Sequence, residues 1–174
     1  MWDVVESDGA LRLGSVAYRE VWVPRQELVA RCRRPLAALP RGRMPLHEPP
    51  NAACRCGIHA VQSSETAAAH LRREAPRREA AIARVMGTVA LWGRVVVADA
   101  GWRGGVAYPT ALLVPTGRWR RLVSAALWPY RRSPGDIARE LEAYGVPVEL
   151  VPFERPAGTP PGAAVPSLAR TTLV

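Results

Sequence analysis

Val85-Met86-Gly87-Thr88-Val89-Ala90-Leu91-Trp92-Gly93-Arg94-Val95-Val96-Val97-Ala98 runs into Asp99-Ala100-Gly101 and then Trp102-Arg103-Gly104-Gly105-Val106-Ala107-Tyr108-Pro109. The first stretch reads as a β-strand. Valine dominates it, and a period of two puts Val85, Gly87, Val89, Leu91, Gly93, Val95 and Val97 on one face. Met86, Thr88, Ala90, Trp92, Arg94 and Val96 take the other face. Gly87 and Gly93 mark a bulge or a close backbone approach. Asp99-Ala100-Gly101 carries turn chemistry, so residues 102–108 return as the second strand of a hairpin, which Pro109 is expected to close.

Upstream, residues 11–23 read as extended, with Leu11, Leu13, Val16, Tyr18, Val21 and Val23 supplying β-formers. Gly9 and Gly14 break the run and Pro24 ends it. Residues 26–32 fit either one helical turn or a third strand. Ser63 or Ser64 caps a helix to about Glu74, with Glu65 in its first turn, and a second helical run over 77–84 follows Pro76. Downstream, residues 111–114 form a short apolar run, and Thr116 caps an expected helix to about Trp128. The clearest helix follows Ser133. Pro134 takes its first position, Asp136 completes a capping-box-like start, Ile137, Leu141 and Tyr144 share a face, and Gly145 stops it. Val146, Val148 and Leu150 form a last strand. The expected fold is therefore a single α+β domain over residues 1–151, with a mainly antiparallel sheet, two to four helices and a long irregular loop. A Pro-, Gly- and Ala-rich tail covers 152–174.

A chain of 174 residues with 48% hydrophobic content can bury a core without disulfide or metal staples. No stretch reaches the roughly 18 apolar residues of a membrane helix, because Gly87, Gly93 and Arg94 interrupt the best candidate. The acidic start, Met1-Trp2-Asp3-Val4-Val5-Glu6, does not resemble a signal peptide, so a cytoplasmic location with no membrane partner is expected. The formal charge is +9, and every one of the 24 basic residues is arginine. A GC-rich genome accounts for that choice, but the charge still raises the prospect of a nucleic-acid or other anionic partner.

The chemically distinctive segment lies at 32–60, where Pro35, Pro40, Gly42, Pro45, Pro49 and Pro50 forbid regular structure. A loop that long within a domain is usually functional or held by something. It contains Cys32, His47, Cys54, Cys56 and His59, which include all three cysteines of the chain. Three thiolates and one imidazole are a structural zinc combination, and metal binding can replace missing hydrophobic burial with folding energy. Cys32, His47, Cys54 and Cys56 are the candidate ligands, and Gly57 lets the backbone turn beside them. Zinc pairs usually stand two to four residues apart, so Cys-x-Cys is a less common spacing. Two alternatives stay open. The cysteines could simply pack as small apolar side chains. Cys54 or Cys56 could also act as a nucleophile or redox thiol, with His47 or His59 as base and Arg55 favouring the thiolate.

Several runs together resemble an uncharacterised family of small bacterial proteins from GC-rich genomes. They are Trp22-Val23-Pro24, Ala30-Arg31-Cys32, His47-Glu48-Pro49-Pro50, Cys54-Arg55-Cys56-Gly57-Ile58-His59-Ala60, Gly87-Thr88-Val89-Ala90-Leu91-Trp92-Gly93, Gly101-Trp102-Arg103 and Ala107-Tyr108-Pro109. The resemblance covers about residues 11 to 115, and Cys-x-Cys-Gly is its most specific part. It implies a shared architecture and a shared Cys/His site, and it implies no reaction. The family usually carries tyrosine where His59 stands, which weakens His59 as a ligand.

Arg118-Trp119-Arg120-Arg121 and Trp128-Pro129-Tyr130-Arg131-Arg132 interleave arginine with aromatics. Arg118, Arg120, Arg121, Arg131 and Arg132 could grip phosphates beside stacked bases. A helix with Trp119 and Trp128 in the core and its arginines in water would give the same pattern. The leading expectation is a non-catalytic binding or regulatory domain with a structural Cys/His zinc site and a protein, nucleic-acid or small-ligand partner. The alternatives are a metal- or cysteine-dependent enzyme and a nucleic-acid binder working through residues 118–132.

Overall fold

The computed structural model describes residues 1–16, 20–32, 47–73, 81–116 and 132–152. The described chain forms one mixed sheet of eight strands with two α-helices. The strands are β1 (Trp2–Ser7), β2 (Ala10–Gly14), β3 (Val21–Trp22), β4 (Leu28–Val29), β5 (Ile58–Val61), β6 (Ala81–Ala98), β7 (Gly101–Thr116) and β8 (Val148–Pro152); the helices are α1 (Ser64–Arg73) and α2 (Pro134–Leu141). Strand order is β3-β2-β1-β6-β7-β4, and β5 and β8 also pair with β7. The expected sheet is present, and helix is a minor part of the described chain, less than the α+β expectation of two to four helices implied.

The hairpin of β6 and β7 organises the sheet. Its strands are 18 and 16 residues long, about three times the usual strand length. Two register shifts bend it, between Thr88 and Val89 and between Trp92 and Val95. Gly93 sits in the second with φ +69°, a left-handed conformation that explains glycine there. Pro109 does not close β7 as expected. It pairs opposite Val89 at the first register shift, where an irregular ladder tolerates a residue that has no N–H to donate. The apolar run 111–114 is the continuation of the same strand.

Two strands were not anticipated. β5 begins at Ile58, inside the segment expected to be irregular to residue 60, where the prolines have ended and pairing with β7 recruits the chain. β1 lies between β2 and β6, and its residues Trp2, Asp3, Val4 and Val5 are all buried. The expected helical run over 77–84 is corrected at its end, because residues 81–84 belong to β6 and pair with β1. Residues 26–32 resolve in favour of a strand, β4, which pairs with Val106 and Ala107. Cross-strand pairing with β7 supplies hydrogen bonds that an isolated helical turn would leave to water. The expected helix over 116–128 and the tail after Pro152 lie outside the described residues.

The core gathers Trp2, Val4, Leu11, Leu13, Trp22, Val85, Ala107, Leu112 and Val114 from the sheet. It adds Ile137, Ala138, Leu141 and Tyr144 from α2 and the 3-10 turn Glu142–Tyr144. Trp2 and Trp22 meet edge to face with centroids 5.6 Å apart. α2 begins as its sequence dictates. The Ser133 side chain accepts from the Asp136 N–H, and the Asp136 carboxylate accepts from the Ser133 N–H. β8 then pairs parallel to β7, with Leu112 opposite Val148.

Tyr144 ties the α2 segment to the sheet. Its hydroxyl accepts from the Leu13 N–H at 2.8 Å and donates to the Trp22 carbonyl at 2.5 Å. Tyr144→Phe should therefore cost about 2–3 kcal/mol, because it strands a buried donor and a buried acceptor. Burial pushes the phenol up to about 12. An unfolded tyrosine ionises near pH 10, so only the unfolded chain loses this proton between about pH 10 and 12. The contribution of Tyr144 is complete below pH 10 and is lost as pH rises toward 12. Urea unfolding across that window should show a steeper alkaline decline in wild type than in Tyr144→Phe. Equal slopes would show that the phenol is not held neutral by its burial.

Candidate metal centre

The site grows out of one edge of β7. β4 pairs with residues 106–107 of that edge and β5 with residues 101–104. The Ala30 N–H donates to the Gly105 carbonyl at 2.7 Å just before the chain leaves, and Ile58 sits opposite Gly104 where it returns. The ends of the irregular loop thus meet on neighbouring residues of one strand. Cys32 follows the departure point and Cys54 and Cys56 precede the return. Strand pairing alone brings these sequence-distant residues together.

Short-range turns then aim the ligands. The Asn51 side chain accepts from the Ala53 N–H at 2.9 Å, and the Asn51 carbonyl accepts from the Cys54 N–H at 3.1 Å. Gly57 has φ +118°, and a Cβ there would lie 2.9 Å from the Pro50 Cβ and 3.1 Å from the Arg103 Cβ. Both the conformation and the space require glycine. Gly57→Ala should therefore displace the Cys54–Cys56 turn at a cost of about 2 kcal/mol, lowering metal affinity roughly thirtyfold. Competition against a zinc chelator of known affinity reads this directly; unchanged affinity would show that the loop can relax without moving its thiols.

The sulfurs of Cys32, Cys54 and Cys56 and a ring nitrogen of His47 all lie within 4.8 Å of one another. Cys32 Sγ is 3.8 Å from Cys54 Sγ, and His47 Nε2 is 3.3 Å from Cys56 Sγ. A tetrahedral zinc site has edges of about 3.8 Å between sulfurs and about 3.6 Å from sulfur to nitrogen. The Cys32–Cys54 edge matches, the His47–Cys56 edge is about 0.3 Å short, and no pair of the four atoms is more than about 1 Å beyond the sulfur–sulfur edge. Cys56 is buried, whereas Cys32, Cys54 and His47 are half-buried. None of the three cysteines is in a disulfide.

Burial pushes the Cys56 thiol up, and the Cys54 and Cys32 thiols beside it push the same way, against a hydrogen bond from the Asn51 backbone. The Cys56 thiol therefore resists ionisation unless a cation joins it. A bound dication reverses the balance, because a coordinating thiol gives up its proton outright.

All four sequence candidates for metal ligation, Cys32, His47, Cys54 and Cys56, therefore converge. His59 stands apart. It lies on β5, is exposed, and its Nε2 is 3.0 Å from the Arg55 carbonyl oxygen. Of the arginines singled out for anion contacts, Arg132 pairs with Glu140. Arg118, Arg120, Arg121 and Arg131 lie outside the described residues. The sequence reading missed Arg103, whose Nη1 donates to the carbonyls of Asn51, Cys54 and Cys56. In the sequence Arg103 stood out only within the hairpin's return strand and the Gly101-Trp102-Arg103 run of the resemblance, with no role attached to it. No helix among the described residues is long and apolar enough to cross a membrane. Comparison with known proteins finds no match for the chain among protein-family models, curated proteins or solved structures.

Proposed function

We propose that this chain is a binding or regulatory domain whose irregular loop is held by one structural zinc ion on Cys32, His47, Cys54 and Cys56. The observation that carries the proposal is the convergence of four candidate ligand atoms within 4.8 Å, from residues 24 positions apart in the chain. Three thiolates and an imidazole suit zinc, whereas calcium and magnesium take oxygen ligands. Four protein ligands fill a tetrahedron, and catalytic zinc instead keeps one position open for water or substrate. That count favours a structural role over metal-dependent catalysis.

A binding role is supported by the surface. Val97 is 73% exposed, and Trp92, Val95 and Trp102, which lie in the half of the hairpin nearest its turn, are exposed as well. Apolar side chains gathered at the end of the long hairpin are what a partner surface offers. The resemblance to a family of small bacterial proteins belongs to the same proposal.

Elemental analysis of protein purified without chelator should return one zinc per chain. Cobalt substitution should give the strong visible absorption of tetrahedral coordination together with a sulfur-to-metal charge-transfer band. Metal-free protein that takes up neither ion would overturn the proposal. Fast, selective alkylation of one cysteine in the metal-loaded protein would move the reading to a reactive thiol.

A further inference from the structure

Arg103 occupies β7 opposite His59 of β5, and its guanidinium lies under the loop that carries two of the three thiols. Nη1 is 3.3 Å from the Asn51 carbonyl oxygen and 3.1 Å from that of Cys56, and it also donates to the carbonyl of Cys54. A terminal guanidinium nitrogen carries two hydrogens, so three acceptors share two N–H groups. Carbonyl dipoles aimed at one point repel one another unless a cation occupies it. Arg103 is that cation, and two of its three acceptors belong to ligand residues. The loop also rests on the arginine stem, since the Gly57 backbone leaves no room for a Cβ beside Arg103 Cβ.

Charge gives the contact a second consequence. Zinc with three thiolates and a neutral imidazole carries one net negative charge. A half-buried centre of that charge is costly unless a cation offsets it. The fixed positive charge of Arg103 reaches the centre through the backbone of Cys54 and Cys56. Lysine is absent from the chain, and arginine keeps its charge under all ordinary conditions.

We infer that Arg103 is the positioning residue of the metal centre. It holds the Cys54–Cys56 turn in ligating geometry before the ion arrives, and it offsets the net negative charge once the ion is bound. This inference rests on the metal reading above.

The test compares wild type, Arg103→Gln and Arg103→Lys in the full chain. Zinc affinity is read by competition with a chromophoric chelator and coordination by the cobalt spectrum. Partners that orient metal ligands are typically worth 10- to 100-fold in affinity. Arg103→Gln should lose roughly that much and weaken the sulfur-to-cobalt band. Arg103→Lys should recover most of both, because an ammonium supplies the charge and three donors. Arg103→Gln that matches wild type in affinity and spectrum overturns the role of Arg103 and leaves the metal centre standing. Arg103→Lys no better than Arg103→Gln also overturns it, since charge would then be irrelevant. Loss of the strand signal from far-ultraviolet circular dichroism in metal-free Arg103→Gln would assign the residue to the sheet instead, and overturn it. Wild type that binds neither zinc nor cobalt removes the metal centre and the inference together.

Discussion

Cys56→Ser is expected to weaken zinc binding by roughly 100- to 1,000-fold and to make melting insensitive to chelator. Structural zinc sites contribute about 10–16 kcal/mol of apparent binding energy near neutral pH, so one ligand of four accounts for about 3 kcal/mol. Cys56 is the ligand whose loss should tell most, because it is the buried one and lies 3.3 Å from His47 Nε2. Serine has nearly the same volume and a hydroxyl that stays protonated near neutral pH, so packing survives while coordination does not. That contrast separates the readings of the cluster. If the cysteines only pack, the substitution costs the small price of a hydroxyl in a partly apolar site and chelator changes nothing in either protein. If zinc holds the loop, the folded state alone binds it, and wild type should melt well above its chelator-treated form. Chelator-sensitive melting that persists in Cys56→Ser would sink the assignment of Cys56 as a ligand.

The candidate ligands were legible because their chemistry is rare and local. Proline density between positions 35 and 50 argued against regular structure there, and the cysteines around it needed an explanation. What the sequence could not show is the device that joins them. That device is β7, which receives β4 and β5 end to end along one edge. Two-residue and four-residue strands carry almost no periodic signal, and their pairing partners lie far away in the chain. Arg103 was hidden for a related reason. An arginine on a strand reads as a solvated side chain until a loop from elsewhere lays three carbonyls across it. His59 lies outside the cluster, with its Nε2 3.0 Å from the Arg55 carbonyl oxygen.

The fold was legible where local chemistry and tertiary context agree. Ser133, Pro134 and Asp136 specify a helix start that needs no help from the rest of the chain, and α2 forms there. The valine-rich stretch before Asp99 likewise became β6. Prediction failed where context overrides local preference. Pro109 ends a strand in isolation but is tolerated at a register shift. Ala81-Ile82-Ala83-Arg84 follows an arginine- and alanine-rich run that favours helix, yet β1 recruits it into the sheet. β1 itself was passed over because Asp3 and Glu6 make the segment look polar.

That same Asp3 supplies the largest expected stability effect in the sheet. Asp3 and Arg84 face each other in register across β1 and β6, with Arg84 Nε donating to Asp3 Oδ1 at 2.7 Å. Asp3 is 0% exposed and Arg84 3%. Asp3 Oδ2 has no hydrogen-bond partner among the described residues, so the pair is not fully compensated. Burying two charges costs several kcal/mol per ion, and the attraction between them offsets this only while both are present. Asp3→Ala keeps the desolvated guanidinium and removes the buried carboxylate to which its Nε donates. The expected loss is about 3–5 kcal/mol, a third or more of the stability of a typical domain. Replacing both residues, with Asp3→Val and Arg84→Met, removes the cost along with the attraction and should restore stability to within about 1–2 kcal/mol of wild type. Urea unfolding of the single and double variants measures each value, and the cycle yields the coupling between the two sites. A loss below about 1 kcal/mol in Asp3→Ala would show that other groups neutralise Arg84. A recovered double variant would leave register as the reason for an ion pair here. A slip of β1 by one residue would turn Asp3 to the opposite face and part it from Arg84, so the pair penalises that misalignment.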